Sequence, residues 1–158
     1  MPAVRPRFAA DEMLGSLARW LRIMGYDTVY ERDRTDSQIV ETARKEERVI
    51  LTRDWELAGR MGERGLYIES DDLDDQLRQV TKTFDLNADE SQARCTVCNG
   101  ELASLPKEGA KGMVPEGVLA NNHEFFRCLK CGKIYWKGSH WSNIRRRFQD
   151  LDKLVPNL

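Results

Sequence analysis

The four cysteines of this 158-residue chain fall in two frames, Cys95-Thr-Val-Cys98 and Cys128-Leu-Lys-Cys131, with 29 residues between them. A CxxC frame turns two thiolates toward one point, and two frames supply the closed tetrahedral set of a structural Zn²⁺ site. Such a site leaves no open position for catalysis. A pair of disulfides is the competing use, but a reducing compartment disfavours it, and a dithiol redox motif needs only one pair. His123 is a conceivable substitute ligand, although four cysteines already complete the set. Gly100 and Gly132 follow the pairs by two residues and one, where each knuckle needs a tight turn.

A second group of residues is acidic. Asp11 follows the apolar run RFAA, Asp36 opens DSQIVETARKEE, Asp54 follows VILTR, and Asp71 and Asp72 follow LYIES. If the apolar runs are parallel strands, these acids lie at the sheet's carboxyl edge, where open α/β folds do chemistry. Converging carboxylates repel one another unless a cation sits among them. Oxygen ligands suit Mg²⁺ or Mn²⁺, either of which can activate water for attack on a phosphodiester. Each acid also has a structural use: Asp36 and Asp71 open helices, and Asp54 stands where it caps one. Asp11 is the hardest to explain in that way.

A third group is basic and aromatic. Residues 1–90 carry 20 acidic against 14 basic side chains, a net of −6, whereas residues 91–158 carry 6 against 11, a net of +5. No acid occurs from Phe125 to Gln149. Within that stretch, CGKIYWKGSHW and the arginines that follow offer Lys133, Trp136, Lys137, His140, Arg145, Arg146 and Arg147. Rings interleaved with cations are the means by which single-stranded nucleic acid is stacked upon and its phosphates neutralised. The plainer expectation is that Ile134, Tyr135 and Trp136 form a last strand whose rings fill a small core.

These groups need elements to position them. RFAA (7–10), DTVYE (27–31), RVILT (48–52) and LYIES (66–70) read as strands. Between and after them, EMLGSLARWLRIMG, TDSQIVETARKEE, WELAGRMGE and DDLDDQLRQVTKTF carry apolar residues at helical spacing. Thr35 and Gln38 form a capping-box pattern, and Gly25 is a helix stop. Strand–helix alternation predicts an α/β fold with a mainly parallel sheet flanked by helices. The polar stretch 85–94 is the expected linker, giving an α/β domain at 1–88. A zinc ribbon with a C-terminal amphipathic helix follows at 89–158, Ile144, Phe148, Leu151 and Val155 sharing one face of that helix. An apolar fraction of 41% supports packed cores, no run approaches the roughly 18 apolar residues of a membrane span, and the first residues lack the apolar centre of a secretory signal. The expectation is a soluble, cytoplasmic protein.

DEMLGSLARWLRIMGYDT, RVILTRDWEL, CTVCNGEL and FRCLKCGKIYWKGSHW together resemble the C-terminal RNase domain of mutator-type exonucleases, over about residues 7–148. The resemblance implies a PIN-like domain, a metal-dependent ribonuclease fold, followed by a zinc ribbon. It places Asp11, Asp36 and Asp54 at the first three PIN acids, and leaves Asp71 or Asp72 for the fourth. It also makes Arg19, Arg22 and Arg53 candidates for substrate phosphate or for ion pairs that orient the acids. The implied function is an Mg²⁺- or Mn²⁺-dependent ribonuclease acting on RNA, with Asp11 and Asp54 on the cation and the ribbon gripping RNA. The alternatives are a non-catalytic RNA-binding or ribosome-associated adaptor, and a scaffold whose ribbon docks a protein partner.

Overall fold

The computed structural model describes residues 5–137, together with Arg146 and Arg147. The chain divides into two compact units, Met1–Asn99 and Gly100–Leu158.

In the first unit, β1 (Phe8–Asp11), β2 (Thr28–Glu31), β3 (Val49–Thr52) and β4 (Gly65–Tyr67) form an all-parallel sheet in the order β2-β1-β3-β4. Parallel neighbours require long crossovers, and helices provide them. These are α1 (Gly15–Ile23), α2 (Asp36–Glu46) and α3 (Trp55–Met61), with α4 (Leu73–Phe84) following β4. Helices cover both faces, so the central strands read as unbroken apolar runs, FAA and VIL. Ala9 and Ile50 pack with Ile39, Val40 and Ala43 of α2 and Leu57 of α3. Phe8 turns to the other face and meets Tyr26 and Phe84 of α4, ring centroids 6.0 and 5.5 Å away.

Local chemistry sets the boundaries. Thr35 and Gln38 form the expected capping box at the start of α2. Helix α1 begins at Gly15 rather than at Glu12, because the Asp11 carboxylate accepts the Met13 N–H at 3.0 Å and holds Glu12–Leu14 in a 3-10 turn. Strand β4 starts at Gly65, where a Cβ would lie 2.3 Å from the Ala58 carbonyl oxygen, so only glycine lets α3 pack there. The expected linker lies along α1: Leu86 is buried, the Tyr26 hydroxyl exchanges hydrogen bonds with the Asn87 backbone, and the Asp89 and Arg94 N–H groups donate to the Met24 and Arg22 carbonyls.

The second unit contains β5 (Leu102–Leu105), β6 (Phe125–Cys128) and β7 (Ile134–Trp136), an antiparallel sheet in the order β5-β6-β7. Two short helices, α5 (Lys107–Ala110) and α6 (Glu116–Asn121), connect β5 to β6. Strand β7 is the last strand expected from the aromatic run. Arg146 and Arg147 are helical, while most of the amphipathic segment, with His140 and Arg145, lies outside the described residues. Among the described residues, no helix is long and apolar enough to cross a membrane.

Candidate functional site

In the order β2-β1-β3-β4, the chain leaves β1 toward one side of the sheet and reaches β3 on the other. The gap between the carboxyl ends of β1 and β3 is therefore a topological switch point, the usual ligand crevice of an open α/β sheet. Asp11 ends β1 and Asp54 stands two residues beyond β3. They meet at Thr52. Its hydroxyl donates to Asp11 Oδ2 and accepts the Asp54 N–H at 2.9 Å. Asp11 Oδ2 also accepts the Arg53 N–H at 3.2 Å, and Asp54 Oδ1 accepts the N–H groups of Glu56 and Leu57 at 3.0 and 3.3 Å. Both carboxylates are thus held by the turns that follow their strands, and Asp54 caps α3.

The other expected acids stand further along the same edge. Asp36 is exposed at the first turn of α2, beyond the outer strand β2. Asp71 and Asp72 are exposed beyond β4, the outer strand on the opposite side, where Asp72 caps α4 through the Asp75 N–H at 3.1 Å. Among the described residues, the group of three or more His, Cys, Asp or Glu that converges closely enough for one ion is the cysteine set, not the aspartates. The acid in register with Asp11 is Glu31, at the end of β2. It is 5% exposed and pairs with Arg34 at 3.2 Å. Sequence reasoning passed over it, although its signal is the one that marked Asp11, an acid closing an apolar strand. Arg22 is buried and braces the fold: Nε donates to the Thr28 carbonyl at 2.8 Å and an Nη to the Thr96 carbonyl at 2.8 Å.

The four sulfurs of Cys95, Cys98, Cys128 and Cys131 lie within 4.8 Å of one another, and these cysteines form no disulfide. The two knuckles are built alike. The N–H of Asn99 donates to the Cys95 carbonyl at 2.9 Å, and that of Gly132 to the Cys128 carbonyl at 3.0 Å. Cys128 Sγ accepts the N–H groups of Lys130 and Cys131, each at 3.4 Å, the backbone arrangement that stabilises a thiolate ligand. Four converging soft donors fit a structural metal such as zinc. Cys95 and Cys128 are buried. The left-handed residue of the first knuckle is Asn99, with φ 68°, and not the expected Gly100. Asparagine tolerates that conformation and brings a side chain that glycine lacks.

That side chain is engaged at both its oxygen and its nitrogen. Asn99 Oδ1 accepts the Thr28 N–H at 3.0 Å and an Arg94 Nε–H at 3.3 Å, while Nδ2 donates to Asp27 Oδ1 at 2.7 Å. Asp27 also receives Arg48 at 2.8 Å and Arg7 at 3.3 Å, and the Arg94 guanidinium lies 3.9 Å away. Burial alone would raise the Asp27 pKa, but the hydrogen bonds from Arg48 and Asn99 and the charges of Arg48 and Arg94 outweigh it, holding the carboxyl at about 2. Arg48 is itself buried, which opposes its charge, yet its bonds to Asp27 and Glu46 push its pKa up. Asp27 precedes β2, so this network occupies the amino end of the strand whose carboxyl end carries Glu31 beside Asp11.

In the second unit, Lys133 is exposed, with Nζ 5.3 Å from the Tyr135 ring centroid. Trp136 is 37% exposed. Lys137 pairs with Glu124 at 3.1 Å and lies 5.9 Å from the Phe126 ring centroid. Arg146 is exposed and Arg147 half-buried.

The family model described as the Mut7-C RNAse domain matches residues 6–148. No curated protein and no solved structure matches the chain.

Proposed function

The chain belongs to the Mut7-C RNAse domain family, which supports a ribonuclease-type function and an RNA substrate, and we propose that it hydrolyses RNA phosphodiester bonds at the Asp11–Asp54 edge in a metal-dependent reaction. The observation that carries this reading is the meeting of Asp11 and Asp54 at Thr52, in the switch-point crevice. A carboxylate offers about four acceptor positions, so the backbone bonds to Asp11 and Asp54 leave each with capacity for a ligand. Hard oxygen donors of this kind fit Mg²⁺ or Mn²⁺, which take one or two carboxylates and complete their shell with water and substrate phosphate. When bound, such an ion supplies positive charge against the developing phosphorane charge and lowers the pKa of attacking water. The chain's own part is to orient. Thr52 fixes the Asp11 carboxylate through its hydroxyl, the Arg53 N–H supports the same oxygen, and the α3 cap fixes Asp54. Asp36, Glu31 and one of Asp71 or Asp72 add negative charge along the same edge.

Zinc at the four cysteines then has a folding role, and the ribbon's exposed Lys133, Trp136, Arg146 and half-buried Lys137 and Arg147, with His140 and Arg145, supply an RNA grip that the acidic first unit lacks. The test is cleavage of labelled single-stranded and structured RNA with Mg²⁺ or Mn²⁺, comparing the native chain with Asp11→Asn and Asp54→Asn. Cleavage that requires the ion and falls at least about 100-fold in both variants supports the assignment. RNA binding without cleavage would instead favour the adaptor.

A further inference from the structure

Each of Asp11 and Asp54 is followed, within two residues, by a large apolar side chain turned to solvent. Trp55, the residue after Asp54, is 73% exposed, and Met13, whose N–H is held by Asp11, is 70% exposed. Indole exposed to that degree forgoes the burial that usually places tryptophan inside. Its orientation is nonetheless fixed. Trp55 is the first residue of α3, and its ring stands at 84° to that of Tyr67 with centroids 5.3 Å apart. Tyr67 is in register with Thr52, the residue that joins the two aspartates. A perpendicular contact engages only an edge or one face of the indole, so a flat surface remains open on the residue that follows Asp54.

We propose that Trp55 is a stacking platform for a nucleobase of the RNA strand, one that seats a single-stranded segment with its backbone at Asp11 and Asp54. The inference rests on the ribonuclease reading above and adds to it a class of substrate. Every base offers a π-face, so a lone ring selects unpaired bases with little regard to sequence. A base inside a duplex is already stacked on its neighbours and cannot use the platform. Tyr67 positions the indole without touching the base. Asp54 and Trp55 are consecutive, so the reacting phosphodiester and the stacked base belong to one or two adjoining nucleotides.

The test is binding of a fluorescently labelled single-stranded RNA, followed by anisotropy without added Mg²⁺ or Mn²⁺, so that it does not depend on cleavage. Trp55→Leu keeps an apolar side chain but removes the π-face, and should weaken binding about 5- to 150-fold, the effect of one lost stacked base. Trp55→Phe keeps a ring and should stay within about 3-fold of the native chain. A sugar-phosphate strand of the same length without bases should bind the native chain and Trp55→Leu equally. Equal RNA binding by Trp55→Leu and the native chain overturns the platform, as does an equal loss on the base-free strand. Failure of the ribonuclease reading shows separately, as native chain that binds with this Trp55 dependence and does not cleave when the ion is supplied.

Discussion

Asn99 Nδ2 donates to Asp27 Oδ1 at 2.7 Å although 72 residues separate the two in the chain. The bond ties the turn that closes the first cysteine knuckle to the entrance of β2. Asn99→Gly keeps the left-handed turn at φ 68° and removes every side-chain bond, whereas Asn99→Ala also meets the backbone strain. The expected loss in stability is about 1–3 kcal/mol for glycine, from the unpaired Thr28 N–H and the one donor lost to Asp27, and about 1 kcal/mol more for alanine. Urea unfolding of zinc-loaded protein measures both. Equal stability of the two variants would show that the turn carries no strain.

Asp27 makes stability depend on acid. Its folded pKa of about 2 lies below the ordinary 3.8, so the folded state binds its proton more weakly than the unfolded state does. The stabilisation is complete above about pH 4 and is lost as pH falls through about 2, with a size of about 2 kcal/mol. The carboxyl carbon of Asp27, followed by NMR, should titrate near 2. Asp27→Asn should be less stable than the native chain at pH 6, with a gap that narrows toward pH 2.

The cysteine cluster predicts one Zn²⁺ per chain by elemental analysis. Cys128→Ser replaces the sulfur that accepts two backbone N–H groups at 3.4 Å, and should lower the zinc content to near zero. Amide protection should then collapse in β5, β6 and β7, whose small sheet has little apolar burial to replace the metal. Strands β1 and β3, enclosed between helices, should keep theirs.

Thr52 separates positioning from binding. Thr52→Val keeps the shape but removes the hydroxyl that Asp11 and the Asp54 N–H share. RNA cleavage should fall about 10- to 100-fold in kcat with KM near the native value, because the Asp11 carboxylate stays in place but loses the hydroxyl that orients it, while the α3 cap still holds Asp54. Thr52→Ser should recover most of the loss. A change in KM alone would assign Thr52 to substrate contact instead.

The sheet and its helices were legible because their signals are local. FAA and VIL are apolar throughout, as strands buried on both faces must be, and the Thr35–Gln38 capping box marks α2 directly. The cysteine set was legible for the same reason, its spacing being its geometry. What escaped the sequence depends on register and on distant pairing. Glu31 gains its place beside Asp11 only when β2 and β1 align. Thr52 looks like an ordinary strand residue until the turn after β3 sets its hydroxyl between the Asp11 carboxylate and the Asp54 N–H. Asn99 was hidden by the glycine beside it, since the turn chemistry that favours Gly100 is met by an asparagine with three partners elsewhere.

Strand β2 lies at the margin of the sheet, and Thr28 turns one N–H and one carbonyl outward from it. Asn99 takes the first and Arg22 the second, so two side chains stand where a neighbouring strand would. Arg22 also holds the Thr96 carbonyl of the knuckle. An unguarded strand margin is a template for pairing with other chains. Metal loss that loosens Cys95–Asn99 would therefore uncover a sticky ribbon of backbone on the otherwise intact first unit. Zinc-stripped protein should self-associate at concentrations where loaded protein stays dispersed, and light scattering during chelation would follow it. On this view the ion protects the chain's colloidal behaviour at a strand it never touches.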